Sequence, residues 1–529
     1  MRVLERIFRL TGVLAVLLAA GICHAEIRAP RVRVAQGELQ GLRQGNVDAF
    51  LGVPYAAAPT GANRWRAPLA LQPWRGVRSA RRFAPSCEQT LMPHGVGPWS
   101  PEYMVHGPVS ENCLYLNVWT PTARTHLLPV MVWIPGGAFI SGSGSVPIYD
   151  GRHLAAHGII VVTINYRLGI FGFFTDPALV AEAKRLREPP GNWGLQDMIA
   201  ALRWVQRNIR AFGGDPRAVT IAGQSAGAIA VQELLTSPLA AGLFARAIAE
   251  SGLPNSLPTP SLSTAERAGA AFARAKGAPT LAALRALPAS QLASTAAPMT
   301  SPLIMPIVDG TVLPAAPERR LAAGQFARIP VLLGLNADES TGFHANPTRL
   351  TRAAWHGELR KLFASLAPRF ERLFPARGSV ARARALRAVR RDLGLAALYQ
   401  WSRLRLARDP TGVYAYLWRH REPGPRSRRW RVFHSSEIPY VFGTLSAAPQ
   451  RHFLPLDRAI SRRMSRYWVN FVKTGNPNGP GLPAWPALRL RGLRIMRLGA
   501  HIGARPILPP KLLQAMRTFI SAGGRPALF

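Results

Sequence analysis

The chain has 529 residues, of which 48% are hydrophobic, and it contains 47 glycines and 47 prolines. This composition is typical of a loop-rich globular protein and excludes a disordered or fibrous chain. The formal net charge of +39 raises the question of a nucleic acid or another polyanion as partner. Because the basic residues are mostly arginines spread along the chain, without a nucleic-acid-binding motif, we expect an arginine-biased composition and no nucleic-acid partner. Polyanion binding is the alternative, which steep salt dependence would reveal.

The N-terminus has the form of a secretory signal. A basic stretch over 1–9 is followed by an apolar run over 10–22, and Ala25 supplies a small residue for cleavage. The apolar run is shorter than the ~20 residues of a membrane-spanning helix, which disfavours the alternative of an uncleaved anchor. We therefore predict a signal peptide over 1–25, no stable membrane insertion after its cleavage, and a secreted or periplasmic protein.

Cleavage after Ala25 would leave Cys87 and Cys113 as the cysteines of the mature chain. Two cysteines in an oxidising compartment predict one disulfide. Closing a loop of this size stabilises a fold by about 3 to 4 kcal/mol in the chain-entropy account. Two buried free thiols are the alternative.

Several short apolar runs predict strands of a sheet. They lie at 128–137, 158–167, 218–223, 245–252 and 329–340. Between the second and third runs, apolar residues recur every three or four positions from Gln196 to Phe212, which predicts an amphipathic helix ended by glycines. Strands alternating with helices indicate a mostly parallel sheet covered on both faces. We predict one catalytic domain over 26–529, with a helical insertion over about 351–409.

The pentapeptide Gly223-Gln224-Ser225-Ala226-Gly227 has the pattern G-x-S-x-G and lies between a predicted strand and a predicted helix. Its glycines permit a strained turn that exposes the serine hydroxyl at the positive end of the helix. A serine hydroxyl is a poor nucleophile near neutral pH, so it needs a base and an acid that orients the base. Ser225 is thus a candidate nucleophile, and a simple packing turn is the alternative.

The base and the acid are expected downstream of the nucleophile, in the order acid and then histidine. His434 is the strongest candidate base because it lies far downstream, in a short loop before an aromatic-rich segment. The acid should follow a sheet strand, and both Asp338 and Glu339 meet that requirement. Periodicity does not choose between these two carboxylates.

An acyl-transfer site also needs backbone N–H groups that face the oxyanion of the tetrahedral intermediate. The residues Gly136, Gly137 and Ala138 end an early strand, where such a loop is needed. Together with the N–H of Ala226, this segment can supply a three-donor oxyanion hole. An ordinary turn is the alternative for the glycine pair.

Long segments over almost the whole mature chain resemble the type-B carboxylesterase family, the lineage that includes the cholinesterases. They are FLGVPYAAAP (50–59), ENCLYLNVWTP (111–121), VWIPGGAFISGS (132–143), NYRLGIFGF (165–173), GNWGLQD (191–197), FGGDPRAVTIAGQSAGA (212–228), HSSEIPYVFG (434–443) and NFVKTGNPNG (470–479). The resemblance implies an α/β-hydrolase fold and hydrolysis of a small-molecule ester. It also implies a reaction that needs no metal and no organic cofactor.

Residue by residue, the family motifs imply a role for each candidate. They make Ser225 the nucleophile, Glu339 the acid and His434 the base, assign Gly137, Ala138 and Ala226 to the oxyanion hole, pair Cys87 with Cys113, and suggest that Ser251 hydrogen-bonds around the acid. A non-catalytic adhesion protein of the same family is the alternative, and the three filled triad positions disfavour it.

The chain departs from the family pattern near the nucleophile. Gln224 stands where many relatives carry Glu, so we expect weaker attraction for choline esters. Ala138 replaces a frequent third glycine, and its methyl group is expected to hinder esters of tertiary alcohols. Four arginines precede His434, namely Arg426, Arg428, Arg429 and Arg431. They would favour anionic esters if they rim the site, and the alternative is a solvated basic loop.

Overall fold

The computed structural model of the protein describes residues 29–253, 258–293, 300–344 and 347–526. The predicted signal peptide over 1–25 lies outside the described residues. In chain order the strands are β1 (Arg31–Val34), β2 (Gly37–Gln40), β3 (Leu42–Gln44), β4 (Val47–Pro54), β5 (Val77–Ser79), β6 (Tyr115–Pro121), β7 (Leu128–Ile134), β8 (Ile160–Ile164), β9 (Gly214–Gln224), β10 (Arg246–Glu250), β11 (Val331–Asn336), β12 (Val413–Trp418), β13 (Arg494–Leu498) and β14 (Gly503–Pro506).

A large mixed sheet organises these strands in the order β14-β13-β12-β11-β10-β9-β7-β8-β6-β4-β3. From β13 through to β8 each strand is parallel to its neighbour. Antiparallel pairs form both margins of the sheet. A separate small sheet contains β1, β2 and β5. The carboxyl ends of the parallel strands therefore meet at one edge, where sites of open α/β sheets are found.

Helices fill most of the connections between the strands. They are α1 (Arg152–Ala155), α2 (Gly169–Phe173), α3 (Pro177–Leu186), α4 (Trp193–Asn208), α5 (Ala226–Thr236), α6 (Leu262–Ala275), α7 (Leu281–Ala286), α8 (Ala289–Ala293), α9 (Pro317–Ala322), α10 (Arg352–Phe363), α11 (Ala367–Leu373), α12 (Ser379–Leu406), α13 (Ser427–Trp430), α14 (Ile438–Phe442), α15 (Pro455–Thr474) and α16 (Pro510–Ser521). Within the described ranges, no helix has the length and apolar character needed to cross a bilayer.

Both faces of the sheet are buried, and β7 shows how its sequence achieves this. Val130, Val132 and Ile134 point to the face covered by α4 and α5. Met131 and Trp133 point to the opposite face, which α14 and α15 cover. A strand with apolar side chains on both faces reads as a continuous hydrophobic run, which is why the sequence predicted it.

The predicted elements are present with shifted ends. Four of the five apolar runs contain a strand, and the run at 218–223 lies within the longer β9; α4 begins at Trp193, three residues before the start of the predicted helix. A single 3-10 turn over Ile209–Phe212 follows α4, and Gly213 ends it in a left-handed conformation with φ of 81°. The predicted insertion is helical, as α10, α11 and α12. These three helices pack into the buried cluster that also contains one face of the sheet.

Candidate active site

Ser225 lies at a sharp turn between the end of β9 and the start of α5. Its φ of 58° and ψ of −126° are strained for a residue with a side chain. The N–H of Ser225 donates to the carbonyl of Glu250 at 2.9 Å, which ties the turn to the neighbouring strand β10. Gly227 faces the carbonyl of Ile134 so closely that a Cβ would collide with it. Glycine at this position thus allows α5 to start directly behind the turn.

His434 and Glu339 are in direct contact. The Nδ1 atom of His434 lies 2.5 Å from Oε2 of Glu339, and the imidazole is only 2% exposed. The other carboxylate oxygen of Glu339 accepts the backbone N–H of Asn336 at 2.7 Å. Glu339 begins a 3-10 turn just after β11, so the end of that strand holds the carboxylate in place. A histidine held in this way keeps Nε2 available to exchange a proton.

The neighbouring carboxylate and the second serine have other surroundings. Asp338 accepts hydrogen bonds from Nε of Arg431 at 3.2 Å and from the N–H of Val432 at 3.3 Å. The expectation that Ser251 hydrogen-bonds around the acid is wrong, since its buried hydroxyl has no hydrogen-bond partner among the described residues. The backbone N–H of Ser251 instead donates to the carbonyl of Gly334 at 2.8 Å. Ser251 therefore joins the ends of β10 and β11 through its main chain, and its side chain takes no part in this hydrogen bond.

Ser225 and His434 line one cavity, which we call the main cavity. Its volume is about 330 Å³, and Gly137, Ala138 and Ala226 also line it. None of the described residues that line the main cavity is Asp, Glu, Lys or Arg. Apolar side chains form much of the wall, including Leu91, Met92, Val96, Met104, Val105, Ile140, Val146 and Ile229. The cavity therefore suits an uncharged, largely apolar portion of a ligand.

The loop after β7 brings backbone close to the nucleophile. A Cβ on Gly136 would lie 3.0 Å from Cβ of Ser225, so glycine is needed for this approach. Gly137 has φ of 117°, and Ala138 has φ of 55°. Positive φ at an alanine is uncommon and strained. Gly137, Ala138 and Ala226, the predicted oxyanion-hole donors, thus line the same cavity as Ser225.

Gln224 makes a contact that the sequence did not predict. Its side-chain amide nitrogen lies 3.1 Å from Nε2 of His434, and both side chains are buried. An amide nitrogen can only donate, so Nε2 accepts and Nδ1 carries the proton shared with Glu339. This is the tautomer that a general base needs.

Two further carboxyl groups are buried beneath the site. Oε1 of Glu250 accepts from the indole of Trp468 at 2.6 Å, and Oε2 of Glu437 accepts from the amide of Asn336 at 2.5 Å. Burial raises the pKa of Glu250 to about 8. Burial, and then the charge of Glu250, raises the pKa of Glu437 well above its ordinary value. One feature of the sequence points to Glu437, its position three residues after His434.

The predicted disulfide between Cys87 and Cys113 is present, and it closes a loop across 26 positions. Trp99 lies in this loop and donates through Nε1 to the carbonyl of His434 at 3.1 Å. Phe343 packs between the two, with ring centroids 5.2 Å from Trp99 and 5.1 Å from His434. The disulfide loop is therefore one wall of the site, and no local pattern in the sequence marked Trp99 for this position.

The four arginines before His434 do not line the main cavity. Arg426 and Arg431 line a neighbouring cavity, whereas Arg428 and Arg429 are exposed on α13. The condition under which they would favour anionic esters, that they rim the site, is thus not met at the main cavity, and the solvated alternative describes Arg428 and Arg429.

Comparisons with known proteins agree with this architecture. Residues 28–506 match the model of the carboxylesterase family. The chain is 40% identical over 496 residues to a fumonisin B1 esterase from Sphingopyxis macrogoltabida, with 88% of this chain and 86% of the relative covered. It is 35% identical over 521 residues to carboxylesterase 4A from Bos taurus, with 90% and 92% covered. It is 34% identical over 521 residues to acetylcholinesterase from Bungarus fasciatus, with 89% and 84% covered.

Among solved structures, a PNB esterase superimposes with a TM-score of 0.76 at 30% sequence identity, covering 92% of this chain and 99% of its own. The large sheet with helices on both faces is accordingly the α/β-hydrolase fold expected from the sequence. The family match spans most of the chain, and the relatives named here are all carboxylic ester hydrolases. The chain therefore belongs to the carboxylesterase family and is a carboxylic ester hydrolase.

Proposed function

We propose that the protein hydrolyses carboxylic esters through an acyl-enzyme, with Ser225 as nucleophile, His434 as base and Glu339 as the acid that orients the base. The observation that carries this proposal is the 2.5 Å contact between Nδ1 of His434 and Glu339, behind a cavity that His434 shares with Ser225. The strained turn at Ser225, located before a helix N-terminus, supports the same role.

In the first half-reaction Oγ of Ser225 attacks the ester carbonyl carbon while Nε2 of His434 takes the hydroxyl proton. The carbonyl oxygen becomes an oxyanion, and the N–H groups of Gly137, Ala138 and Ala226 are the proposed donors to it. Collapse of this intermediate breaks the bond to the leaving alcohol, which takes the proton from Nε2. An acyl group then remains on Ser225.

In the second half-reaction a water molecule attacks the acyl carbon, and Nε2 of His434 takes one of its protons. The second tetrahedral intermediate collapses, the carboxylic acid leaves, and the proton returns to Oγ of Ser225. Glu339 stabilises the imidazolium in both halves and prevents the ring from turning.

The relatives and the disulfide support a wider proposal about the location and the substrates of the enzyme. We propose that residues 1–25 are removed as a signal peptide and that residues 26–529 form one catalytic domain outside the cytoplasm. The disulfide supports an oxidising compartment. Because one relative is named for its action on fumonisin B1, that ester belongs in a substrate panel with simple aliphatic esters of differing acyl length.

The test is the rate of ester hydrolysis by Ser225→Ala, with Ser251→Ala as matched control. Loss of a triad nucleophile lowers kcat by about 10⁴ or more, so Ser225→Ala is expected to be nearly inactive on every ester in the panel. Ser251→Ala should keep activity of the wild-type order, because its hydroxyl forms no hydrogen bond with any of the three proposed catalytic side chains in the described residues. Substantial hydrolysis by purified Ser225→Ala would overturn the proposed mechanism.

A further inference from the structure

A second cavity of about 310 Å³ lies beside the main cavity, and we call it the arginine cavity. Arg426, Arg431 and Arg451 line it. Val96 and Trp99 line both cavities. The two cavities are thus neighbours that share part of their walls.

Trp99 lines the arginine cavity and packs against His434, the residue that serves the leaving alcohol in the proposed mechanism. His434 must pass its proton to that alcohol in the proposed mechanism, so the alcohol portion lies next to the imidazole. Trp99 is the residue that connects the imidazole to the arginine cavity, since its ring lies edge-on to His434 at 6.4 Å. A group carried some carbons along the alcohol chain would therefore reach past Trp99 into this space.

The floor of the arginine cavity is a closed ion-pair network. Arg451 is buried and pairs with Glu102 at 2.8 Å and with Glu422 at 2.9 Å. Its guanidinium also lies 5.7 Å from the ring centroids of Tyr103 and Phe433. Glu422 is the single carboxylate among the described residues that line the cavity. Because Arg451 neutralises part of this acidic charge and is fully engaged, the free charge of the cavity must come from its rim.

At the rim the two arginines differ. Arg431 donates to Asp338 at 3.2 Å, so an acid already partners it. The side chain of Arg426 forms no hydrogen bond or ion pair with any residue that the structure describes, and it is exposed at the cavity. A guanidinium presents a planar fork that matches a carboxylate with two parallel hydrogen bonds. Arg426 therefore offers the cavity an unused site for an anion.

We propose that the arginine cavity binds a carboxylate on the alcohol portion of the ester substrate, with Arg426 as its ligand. This inference rests on the proposed function and adds a substrate class to it: esters whose leaving alcohol ends in a carboxylate. The uncharged main cavity holds the ester bond and the acyl chain, and the anionic end lies beyond Trp99.

The test compares two esters of butyric acid that have equal length. The leaving alcohol is ω-hydroxyhexanoate in one ester and ω-hydroxyhexanamide in the other. The measured quantity is the ratio of kcat/KM for the carboxylate ester to kcat/KM for the amide ester. This ratio is independent of the fraction of correctly folded enzyme. A hydrogen-bonded charge pair contributes enough for about a tenfold effect, so Arg426→Gln is expected to lower the ratio about tenfold.

Arg428→Gln is the matched control, because Arg428 is exposed on α13, the short helix that Arg426 directly precedes, but does not line the cavity. It should leave the ratio within about twofold of wild type, since an exposed charge outside the cavity is screened by solvent. An unchanged ratio in Arg426→Gln would overturn the inference, and so would an equal loss in Arg428→Gln, which would indicate only a general positive potential.

A second ester pair tests which end of the substrate is bound. Monoethyl adipate carries its carboxylate on the acyl side, its amide counterpart is uncharged, and Arg426→Gln is expected to leave the ratio of their kcat/KM values unchanged. A loss confined to this acyl-side pair would overturn the assignment to the alcohol portion. Failure of the proposed function has a different signature, which is hydrolysis of the uncharged amide ester by Ser225→Ala.

Discussion

The side-chain amide of Gln224 donates to Nε2 of His434 at 3.1 Å, the nitrogen that must accept the proton of Ser225 in the proposed mechanism. Gln224 precedes the nucleophile directly, so the same turn that exposes Ser225 brings the amide to the imidazole. In the proposed mechanism the hydroxyl of Ser225 has to replace this amide as the donor to Nε2.

Replacing this amide by a carboxylate should change the pH dependence of the reaction. In Gln224→Glu the carboxylate stabilises the protonated imidazole, so a higher pH is needed to free Nε2. We expect the acid limb of the kcat/KM profile to move upward by about one pH unit. Gln224→Met removes the donor without adding charge and should leave the limb near its wild-type position. Identical acid limbs in Gln224→Glu and wild type would contradict the proposed role of the contact.

Removing the methyl group of Ala138 should widen the main cavity beside Ser225. Ala138 has φ of 55°, a conformation that glycine adopts freely, so Ala138→Gly is compatible with the fold. We expect the ratio of kcat/KM for tert-butyl acetate to that for ethyl acetate to rise about tenfold, the effect of one methyl group in a tight pocket. Hydrolysis rates of both esters check this, and an unchanged ratio would show that Ala138 does not limit access.

The disulfide should stabilise the wall that carries Trp99. Converting both Cys87 and Cys113 to Ser is expected to lower the free energy of unfolding by about 3 kcal/mol, because the unfolded chain regains the entropy of the open loop. Urea unfolding of the variant measures this loss, and wild type unfolded under reducing conditions should match it. Equal stability of the double variant and oxidised wild type would contradict the expectation.

Glu250 should make stability fall as the pH rises. Because burial raises its pKa to about 8, the folded protein keeps a proton that the unfolded chain has already released. The stability that this proton contributes is fully present below the pKa of Glu250 in the unfolded chain. It is lost as the pH rises through the pKa of Glu250 in the folded protein. Glu250→Gln has no such proton and can still accept from Trp468.

We therefore expect the stability of Glu250→Gln relative to wild type to increase by about 1 kcal/mol or more between about pH 5 and about pH 8. Denaturant unfolding at both pH values measures the difference. Glu318→Gln, which alters an exposed glutamate, is the control and should show no such trend. A relative stability that falls with pH would mean that Glu250 is ionised in the folded protein.

Much of the fold was predictable because its central strands are buried on both faces. Short apolar runs bounded by glycine and proline, such as the one containing β7, are typical of a covered strand, and the turn at Ser225 follows from the glycines around it. Strand ends were less well defined, since β9 begins at Gly214, inside the segment predicted to end the preceding helix. At Gly214 the strand already runs through residues that the glycine pattern of the sequence assigns to a turn.

The site was predictable at the level of residue types and less so at the level of contacts. Asp338 and Glu339 are adjacent carboxylates after one strand, and only the 3-10 turn that begins at Glu339 directs its side chain to His434. The contact between Gln224 and His434 joins positions 210 residues apart. Trp99 lies in the loop that the disulfide closes, and it contacts His434 only in the folded chain. Its contact with the base could therefore not be predicted from local sequence.

The identity of the nucleophile can be tested directly by treating the protein with a fluorophosphonate, which reacts with activated serines, and locating the adduct by mass spectrometry of the digested chain. We predict one adduct per chain, on Ser225, with loss of esterase activity in proportion to labelling, and no adduct in Ser225→Ala. Labelling of another serine such as Ser251, or full labelling of active enzyme, would contradict the account.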